Sequence, residues 1–220
     1  MADVPGQTGP IAALLLAGGR ASRLGGADKP GITIGGRSLV ATVASAAAGA
    51  GAGRIVVVGQ ARPDLAGEVA AAGSAPIVEF TSEQPPGAGP VPALRAGLAR
   101  VTEPWLLLLA ADLPFLSAWH LRELLGAAAR QAAAGAMLAD GQGRPQWLIS
   151  CWQSGPVRSA LDSYDGASLG GVLGPLRPAE VTISQQPGQP PPWMDCDTSA
   201  DVATAAACAR AAREGSRGPR

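Results

Sequence analysis

Short aliphatic runs alternate with alanine-rich segments along the first half of this chain, and that alternation constrains the fold more than any other feature. The aliphatic runs are too short for helices and too continuous for strands with one polar face, so they predict strands buried on both faces. The alanine-rich segments have the composition of helices. Together they predict an α/β fold with a parallel sheet covered on both sides. The predicted strands are 11–16, 55–58, 76–80 and 105–110, and the predicted helices are 38–48, 63–72 and 91–101.

The pattern changes in the second half of the chain, where proline and glycine are frequent. The 220 residues are enough for one large domain, which we expect over 10–213, with 1–9 and 214–220 as flexible ends. A last helix should begin near Ser199, with Thr198 or Ser199 as its N-cap. The remaining predictions are a helix over 117–134, short strands over 136–139, 147–152 and 181–184, and a proline-rich loop over 185–192.

The overall composition excludes several classes of partner. Seventeen basic and seventeen acidic side chains cancel, so we expect no nucleic acid and no membrane surface as a partner. The longest apolar runs fall far short of the roughly 20 residues of a membrane span, and the first ten residues do not resemble a secretory signal. The three cysteines lack metal-type spacing and are expected to be reduced. These features predict a cytoplasmic protein that is a monomer or a weak oligomer.

A glycine turn rich in cations follows the first predicted strand. Gly18 and Gly19 end the strand, and Arg20, Arg23 and Lys29 come soon after. Open α/β sheets bind ligands at this carboxyl edge, where glycines let backbone amides approach a phosphate and cations neutralise its charge. The stretch is neither a P-loop nor a dinucleotide fingerprint. It predicts a phosphate site, and an ordinary turn with solvated cations is the alternative.

Two further segments reach the same predicted edge. Asp112 follows the strand 105–110 as a lone carboxylate, and one or two such carboxylates usually hold Mg²⁺ beside substrate phosphates. Its alternative role is to cap the turn before Pro114. The glycine-bearing segment 83–90 opens the predicted helix 91–101, where it can receive a base or ribose or act as a plain connector.

These segments, in this order and spacing, resemble the molybdenum cofactor guanylyltransferases and their MobA-like nucleotidyltransferase relatives. The family's opening motif, Leu-Ala-Gly-Gly-x-Ser-x-Arg-Met-Gly-x-(x)-Asp-Lys, matches 16–29, with Ala21 in place of Ser and Leu24 in place of Met. The acidic Pro-Gly-x-Gly-Pro loop, the Ala-Asp-Leu-Pro segment and the late Asp-x-Asp-Thr-x-x-Asp motif match 83–90, 111–114 and 195–201. The resemblance implies a three-layer, Rossmann-like nucleotidyltransferase fold with a mostly parallel central sheet.

The same resemblance implies a Mg²⁺-dependent enzyme that transfers a nucleoside monophosphate, GMP from GTP, to the phosphate of a molybdopterin-type acceptor and releases pyrophosphate. The nucleotide would bind in the half 10–116 and the acceptor in the half 117–213. The implied catalytic residues are Arg23, Lys29 and Asp112, and the implied metal ligands are Asp112 and Asp197. The implied nucleotide-binding residues are Leu16, Ala17, Gly18, Gly19, Lys29, Gly59, Gln84, Gly87 and Asp112.

Alternatives remain open for both the nucleotide base and the acceptor. Gly59 stands where some guanylyltransferases have a base-contacting Asn, and Gln84 stands where Asp often follows Glu, so CTP is an alternative to GTP. A sugar phosphate is the alternative acceptor. A noncatalytic nucleotide-binding module is the alternative of another class, and the presence of Lys29 and Asp112 favours an enzyme.

Aromatic residues of the second half have two interpretations. Trp147 and Trp152, with Arg144 and Gln146, can stack on and anchor a pterin, or the tryptophans can pack in the core. His120, the single histidine, is expected to have a surface or packing role rather than a catalytic one.

Overall fold

The computed structural model describes residues 9–18, 28–73, 75–184 and 189–215, and over these ranges it has nine strands and seven α-helices. The strands are β1 (Ile11–Leu16), β2 (Thr33–Ile34), β3 (Arg37–Ser38), β4 (Ala52–Val58), β5 (Ile77–Thr81), β6 (Trp105–Ala110), β7 (Gly135–Ala139), β8 (Pro145–Gln153) and β9 (Ala179–Thr182). The helices are α1 (Leu39–Gly49), α2 (Leu65–Ala70), α3 (Pro90–Leu98), α4 (Ala118–Arg130), α5 (Ser154–Asp162), α6 (Leu169–Leu173) and α7 (Ser199–Gly215).

Seven of the strands form one central sheet in the order β5-β4-β1-β6-β8-β7-β9. β1, β4, β5 and β6 are parallel, as are β7 and β9, and β8 runs antiparallel to both of its neighbours. Strands β2 and β3 form a separate antiparallel hairpin. The prediction of a three-layer α/β fold with a mostly parallel sheet is therefore confirmed.

Helices cover both faces of the sheet. Along β1, Ile11, Ala13 and Leu15 pack into the core layer of α1, α2 and α4, while the intervening Ala12, Leu14 and Leu16 pack into the layer of α3, α5 and α6. Successive side chains of a strand point to opposite faces, so a strand buried on both faces must be apolar at every position. This requirement explains the continuous aliphatic runs in the sequence.

Several predicted bounds agree with the structure, and others shift for identifiable reasons. The predicted strands 11–16 and 105–110 coincide with β1 and β6. Helix α4 ends at Arg130 instead of residue 134, because Ala132 adopts the left-handed backbone conformation with φ of 49°. The expectation that 76–80 is buried on both faces was wrong: β5 is the edge strand of the sheet, and Ile77 is 56% exposed.

Some elements were not predicted from the sequence. The hairpin of β2 and β3 and the helices α5 and α6 lie in segments where short elements are interrupted by glycine, proline and serine. The strand predicted at 181–184 is β9, which begins two residues earlier, at Ala179. Of the flexible ends expected at 1–9 and 214–220, residues 1–8 and 216–220 lie outside the described residues.

Cys151, Cys196 and Cys208 are free cysteines, and the first two are buried. Burial raises the pKa of Cys151 to about 12, so this thiol stays protonated. In the part of the chain that the structure describes, no helix has both the length and the apolar character needed to cross a bilayer.

Candidate active site

The sheet creates a crevice where its strand order reverses. From β1 the chain first adds β4 and β5 on one side, and then returns to add β6 on the other side of β1. Open α/β sheets bind ligands beyond the carboxyl ends of strands at such a switch point. Leu16 and Ala110 pair at these two ends, and Ala111 N–H donates to the Leu16 carbonyl at 3.1 Å. The two predicted motifs around Gly18 and Asp112 therefore lie side by side.

A cavity of about 230 Å³ lies at this crevice. Its walls are formed by the ends of β1 and β6 with the residues that follow them, the loop between β5 and α3, the start of α3, and one residue of β8. The glycines of the loop have backbone conformations that side-chain-bearing residues rarely adopt, with φ of 76° at Gly87 and 111° at Gly89. The lining residues are Leu16, Gly18, Glu83, Gly87, Gly89, Pro90, Ala93, Ala110, Asp112 and Leu148.

Glu83 is a buried carboxylate in the wall of this cavity, with 5% of its surface exposed. Its Oε1 accepts a hydrogen bond from the Gly87 N–H at 2.8 Å. A Cβ on Gly18 would lie 3.4 Å from the same oxygen, within van der Waals contact, so the end of the first strand lies directly beside the acidic side chain. Sequence reasoning did not select Glu83, although it is the single acidic residue of the segment 83–90.

Lys29 lies at the mouth of the crevice and contacts two segments that are distant in the sequence. Its ammonium forms ion pairs with Asp112 Oδ2 and with Asp197 Oδ1, and Asp197 is 168 positions away along the sequence. Burial lowers the pKa of Lys29, but the hydrogen bonds and charges of Asp112 and Asp197 outweigh this effect and raise the pKa above its usual value. Lys29 is therefore a permanent cation, and it is the only lysine of the sequence.

The start of α7 positions Asp197. Thr198 N–H donates to Asp201 Oδ2 at 2.7 Å, and Asp201 N–H donates to Thr198 Oγ1 at 3.2 Å, which is a reciprocal capping arrangement. Thr198 is thus the cap of α7, one of the two caps predicted. Partial burial and the charges of Asp197 and Asp112 raise the pKa of the neighbouring Asp195, so this end of the site is rich in negative charge.

Gly59 lies beside Ala17 at the end of β4. Gly59 N–H donates to the Thr81 carbonyl at 2.8 Å, and Ala17 N–H donates to the Val58 carbonyl at 2.9 Å. A Cβ on Gly59 would lie 3.1 Å from the Ala17 carbonyl oxygen, so a side chain does not fit there without displacement. The base contact expected of this position stays a prediction, and only the backbone of Gly59 is available for it.

Other predicted site residues lie elsewhere or outside the described residues. Gln84 is exposed and lines an open groove with Ser82 and Arg95 on the outer side of α3. Gly19 and Arg23 fall in the segment 19–27, outside the described residues, and their roles stay predictions.

The two tryptophans differ in environment. Trp152 is fully buried in the core, and its Nε1 donates to Ser150 Oγ at 2.8 Å, so of the two interpretations of this ring the structure supports core packing and excludes stacking on a ligand. Trp147 is half-buried against α6, where a Cβ on Gly170 would lie 3.1 Å from its Nε1. Gln146 lies at the start of β8, and its Nε2 donates to Oδ2 of Asp140 in the preceding turn at 3.4 Å. His120 caps α4, since its Nδ1 accepts from Ser117 N–H at 3.0 Å.

Comparison with known proteins identifies the family. The sequence model described as the MobA-like NTP transferase domain matches residues 13–180. The molybdenum cofactor guanylyltransferase of Pseudomonas aeruginosa is 37% identical over 158 residues, which cover 70% of this chain and 70% of that protein.

Solved structures share the fold over most of its length. A nucleotidyl transferase from Methanothermobacter thermautotroptrophicus has a TM-score of 0.66 at 20% identity, covering 92% of this chain and 99% of that one. The molybdopterin-guanine dinucleotide biosynthesis protein A from Archaeoglobus fulgidus has a TM-score of 0.64 at 15% identity, covering 91% and 99%. The chain therefore belongs to the MobA-like NTP transferase family, and it is a nucleotidyltransferase.

Proposed function

We propose that this enzyme transfers GMP from GTP to the phosphate of a molybdopterin-type acceptor, with Mg²⁺ as its cofactor and pyrophosphate as the second product. The observation that carries the proposal is the convergence of Lys29, Asp112 and Asp197 at the mouth of the crevice between β1 and β6. The name of the relative from Pseudomonas aeruginosa supports guanine and this acceptor.

The cavity beside these charges suits a nucleoside. Its walls combine apolar groups of Leu16, Ala93 and Leu148 with the Glu83 carboxylate and glycine backbone, which is the usual mixture in a ligand pocket. The N-terminus of α3 opens into it at Gly89 and carries the partial positive charge of the helix dipole. A nucleotide bound here would have its phosphates near Lys29 and Asp112.

Asp112 and Asp197 fit a magnesium ion. Their carboxylate oxygens both approach the Lys29 ammonium, so the two side chains can converge on one positive charge. Carboxylate oxygens are also the ligands that Mg²⁺ prefers. When bound, Mg²⁺ would supply neutralisation of the triphosphate charge. We therefore propose both aspartates as its protein ligands.

The transfer needs orientation and charge neutralisation rather than a covalent intermediate. An oxygen of the acceptor phosphate attacks the α-phosphorus and forms a new P–O bond. The bond from that phosphorus to the oxygen bridging to the β-phosphorus breaks, and its electron pair leaves on pyrophosphate. Lys29, held as a cation, stabilises the charge that builds on the phosphates, and Arg23 is proposed to share this role. No general base is required, because the acceptor phosphate is already ionised.

The acceptor would approach from the side of β8. Leu148 of β8 lines the cavity together with Gly18, and the half-buried Trp147 is the neighbour of Leu148 in sequence. Both residues lie in the second half of the chain, to which acceptor binding was assigned.

A pyrophosphate-release assay tests this function. The wild-type protein is supplied with Mg²⁺ and GTP, CTP, ATP or UTP, each with and without molybdenum-loaded molybdopterin. We expect release with GTP only when the acceptor is present. The same dependence with CTP would keep the mechanism and change the base. Asp112→Asn should reduce turnover by at least about 10²-fold, because it removes charge from a proposed metal ligand.

A control variant and a binding readout complete the test. Asp64 is exposed at the start of α2, and Asp64→Asn should retain wild-type activity. Because Lys29 is the only lysine, the rate of its acetylation, measured by mass spectrometry, reports on one site. We expect Mg²⁺ with GTP to slow that acetylation. Absence of both turnover and protection with every nucleotide, in a folded protein, would refute the proposal.

A further inference from the structure

A second ion pair lies directly behind Lys29. Arg62, in the loop that follows β4, pairs through Nη2 with Asp28 Oδ1, and Asp28 is the residue before Lys29. The Arg62 side chain is only 18% exposed, whereas that of Asp28 is 48% exposed. Asp28, the neighbour of Lys29, is thus paired with an arginine whose side chain lies mostly inside the protein.

Arg62 is retained at a cost in stability. Its Nε is buried and has no hydrogen-bond partner among the described residues. A buried donor without a partner is unfavourable, and an ion pair whose carboxylate is half exposed adds little to stability. The pair with Asp28 therefore calls for an explanation other than stability.

The backbone connects this pair to Lys29. Residues Lys29–Gly31 form one tight 3-10 turn, in which Gly31 N–H donates to the Asp28 carbonyl at 3.0 Å and Ile32 N–H donates to the Lys29 carbonyl at 3.1 Å. Pro30 restricts the backbone inside the turn. Fixing the Asp28 side chain therefore fixes the first residue of the turn from which the Lys29 side chain extends.

Gly31 gives this arrangement its space. A Cβ at this position would collide with Asp28 Oδ2 and would lie 2.8 Å from Arg62 Nη1. Gly31 thus packs against the ion pair, and a larger residue would have to displace the ends of these two side chains.

The charges form a row across the end of the sheet. Arg62 follows β4, Asp112 follows β6, and β1 lies between these two strands. Arg62 holds Asp28 on one side of the turn, while Lys29 pairs with Asp112 and Asp197 on the other. The turn that carries Lys29 is therefore tied to both strands that flank β1.

We propose that Arg62 is a positioning residue: through its ion pair with Asp28, under Gly31, it orients the turn 28–31 so that Lys29 points to the phosphates of the nucleotide. This inference rests on the proposed function for the identity of the ligand. Arg62 itself does not contact the nucleotide.

A double-mutant cycle tests the assignment. The dissociation constant of Mg²⁺ with GTP is measured for the wild type, Arg62→Ala, Lys29→Ala and the double variant. We expect Arg62→Ala to weaken binding roughly ten-fold, because a Lys29 side chain that is no longer held in place must be ordered when the nucleotide binds. In the Lys29→Ala background, Arg62→Ala should cause no further loss, because Arg62 acts only through Lys29. Additive losses would overturn the proposal.

Two variants sharpen the comparison. Gly31→Ala should reproduce the effect of Arg62→Ala, because it separates the same pair without removing a charge. Arg100→Ala, which removes an exposed arginine after α3, should leave binding unchanged. A wild-type affinity for Gly31→Ala would count against the role of the pair.

A readout without nucleotide separates this inference from the proposed function. Hydrogen exchange of a peptide covering 28–38 and acetylation of Lys29 are measured on the ligand-free proteins. We expect both to be faster in Arg62→Ala and Gly31→Ala than in the wild type and in Arg100→Ala. If the wild type binds no nucleotide, the proposed function fails while this arm still decides the inference. Unchanged exchange and acetylation in Arg62→Ala would overturn the inference even if GTP binds.

Discussion

At the candidate active site, one lysine offsets the repulsion between two aspartates. Lys29 balances Asp112 and Asp197, and the two carboxylates would repel each other without it. Glu83 brings a further carboxylate into the wall of the same cavity. Its Oε1 is anchored by the Gly87 N–H, so this residue has a structural role that is separable from any contact with substrate.

Substitution of Glu83 tests that structural role. Glu83→Ala leaves the Gly87 N–H without its acceptor, and the expected loss is about 1–3 kcal/mol in the free energy of unfolding. Glu83→Gln keeps an oxygen that can accept the same hydrogen bond, so it should lose less than half of that amount. Urea denaturation of the three proteins measures both effects. Equal losses in the two variants would show that charge, and not the hydrogen bond, is what this position requires.

At the scale of elements, α3 packs close to the sheet at Gly97. A Cβ on Gly97 of α3 would collide with Leu14 Cδ1 of β1 and would lie 2.8 Å from Val58 Cγ2 of β4. Gly97 is buried in the helix interior, where glycine is normally unfavourable relative to alanine. The close approach of helix and sheet explains why a glycine occupies this position.

We therefore expect Gly97→Ala to destabilise the protein. The gain from helix propensity is about 0.5–1 kcal/mol, whereas overpacking of a filled core costs about 1–3 kcal/mol. Gly67→Ala is the matched control, since Gly67 lies in α2 and its added Cβ would meet no atom within 4 Å. That variant should be neutral or slightly stabilising. Thermal unfolding followed by circular dichroism measures both, and a stabilised Gly97→Ala would contradict the packing argument.

The cap of α4 should make stability depend on pH. Burial lowers the pKa of His120 below its ordinary value of 6.5, and its Nδ1 accepts from Ser117 N–H only when unprotonated. The His120 imidazole therefore binds a proton more readily in the unfolded chain than in the folded one. The contribution of neutral His120 to stability is present above pH 6.5 and is lost as the pH falls toward the lowered pKa. Below that range the cap is weakened.

His120→Gln provides the comparison, because glutamine at this helix position can accept the same capping hydrogen bond but does not titrate. We expect the free energy of unfolding to fall between about pH 7.5 and pH 5.5 by more in the wild type than in His120→Gln. Urea denaturation at the two pH values measures the difference. Parallel losses in both proteins would assign the pH dependence to other groups.

At the scale of the molecule, the two halves assigned to nucleotide and acceptor share one sheet. β6 of the first half pairs with β8 of the second, and β8 then pairs with β7. One core cluster contains Ala44 and Val57 of the first half together with Leu121 and Ile149 of the second. Each half therefore depends on the other to complete the core layers.

This continuity predicts that the halves do not fold alone. Fragments 1–116 and 117–220, expressed separately, should lack the cooperative unfolding transition that the full chain shows. Separation exposes the edge of β6 in one fragment and that of β8 in the other, and unpaired sheet edges favour aggregation. Differential scanning calorimetry of the full chain should give a single transition. Two resolved transitions, or a folded fragment, would contradict the assignment of one domain over 10–213.

The agreement between sequence and structure differs between kinds of residue. The bounds of β1 and β6 followed from runs that are apolar at every position. Asp112 and Lys29 were recognised because each follows a strand or a glycine turn at the binding edge. Glu83 and Arg62 were not recognised, because their roles depend on burial and on partners that are distant in sequence. The burial of Trp152 likewise depends on which face of β8 its side chain occupies.

The sequence by itself determined the alternation of strands and helices, the sheet edge that carries the motifs, and the family, because apolar periodicity and motif spacing are local properties of the chain. Only the tertiary structure decided that Asp197 meets Lys29, that Arg62 pairs with Asp28, and that Trp152 lies in the core. Ion pairs and burial depend on distances in space between segments far apart in the chain. Strand order sets these distances, and a single sequence contains no local signal for it.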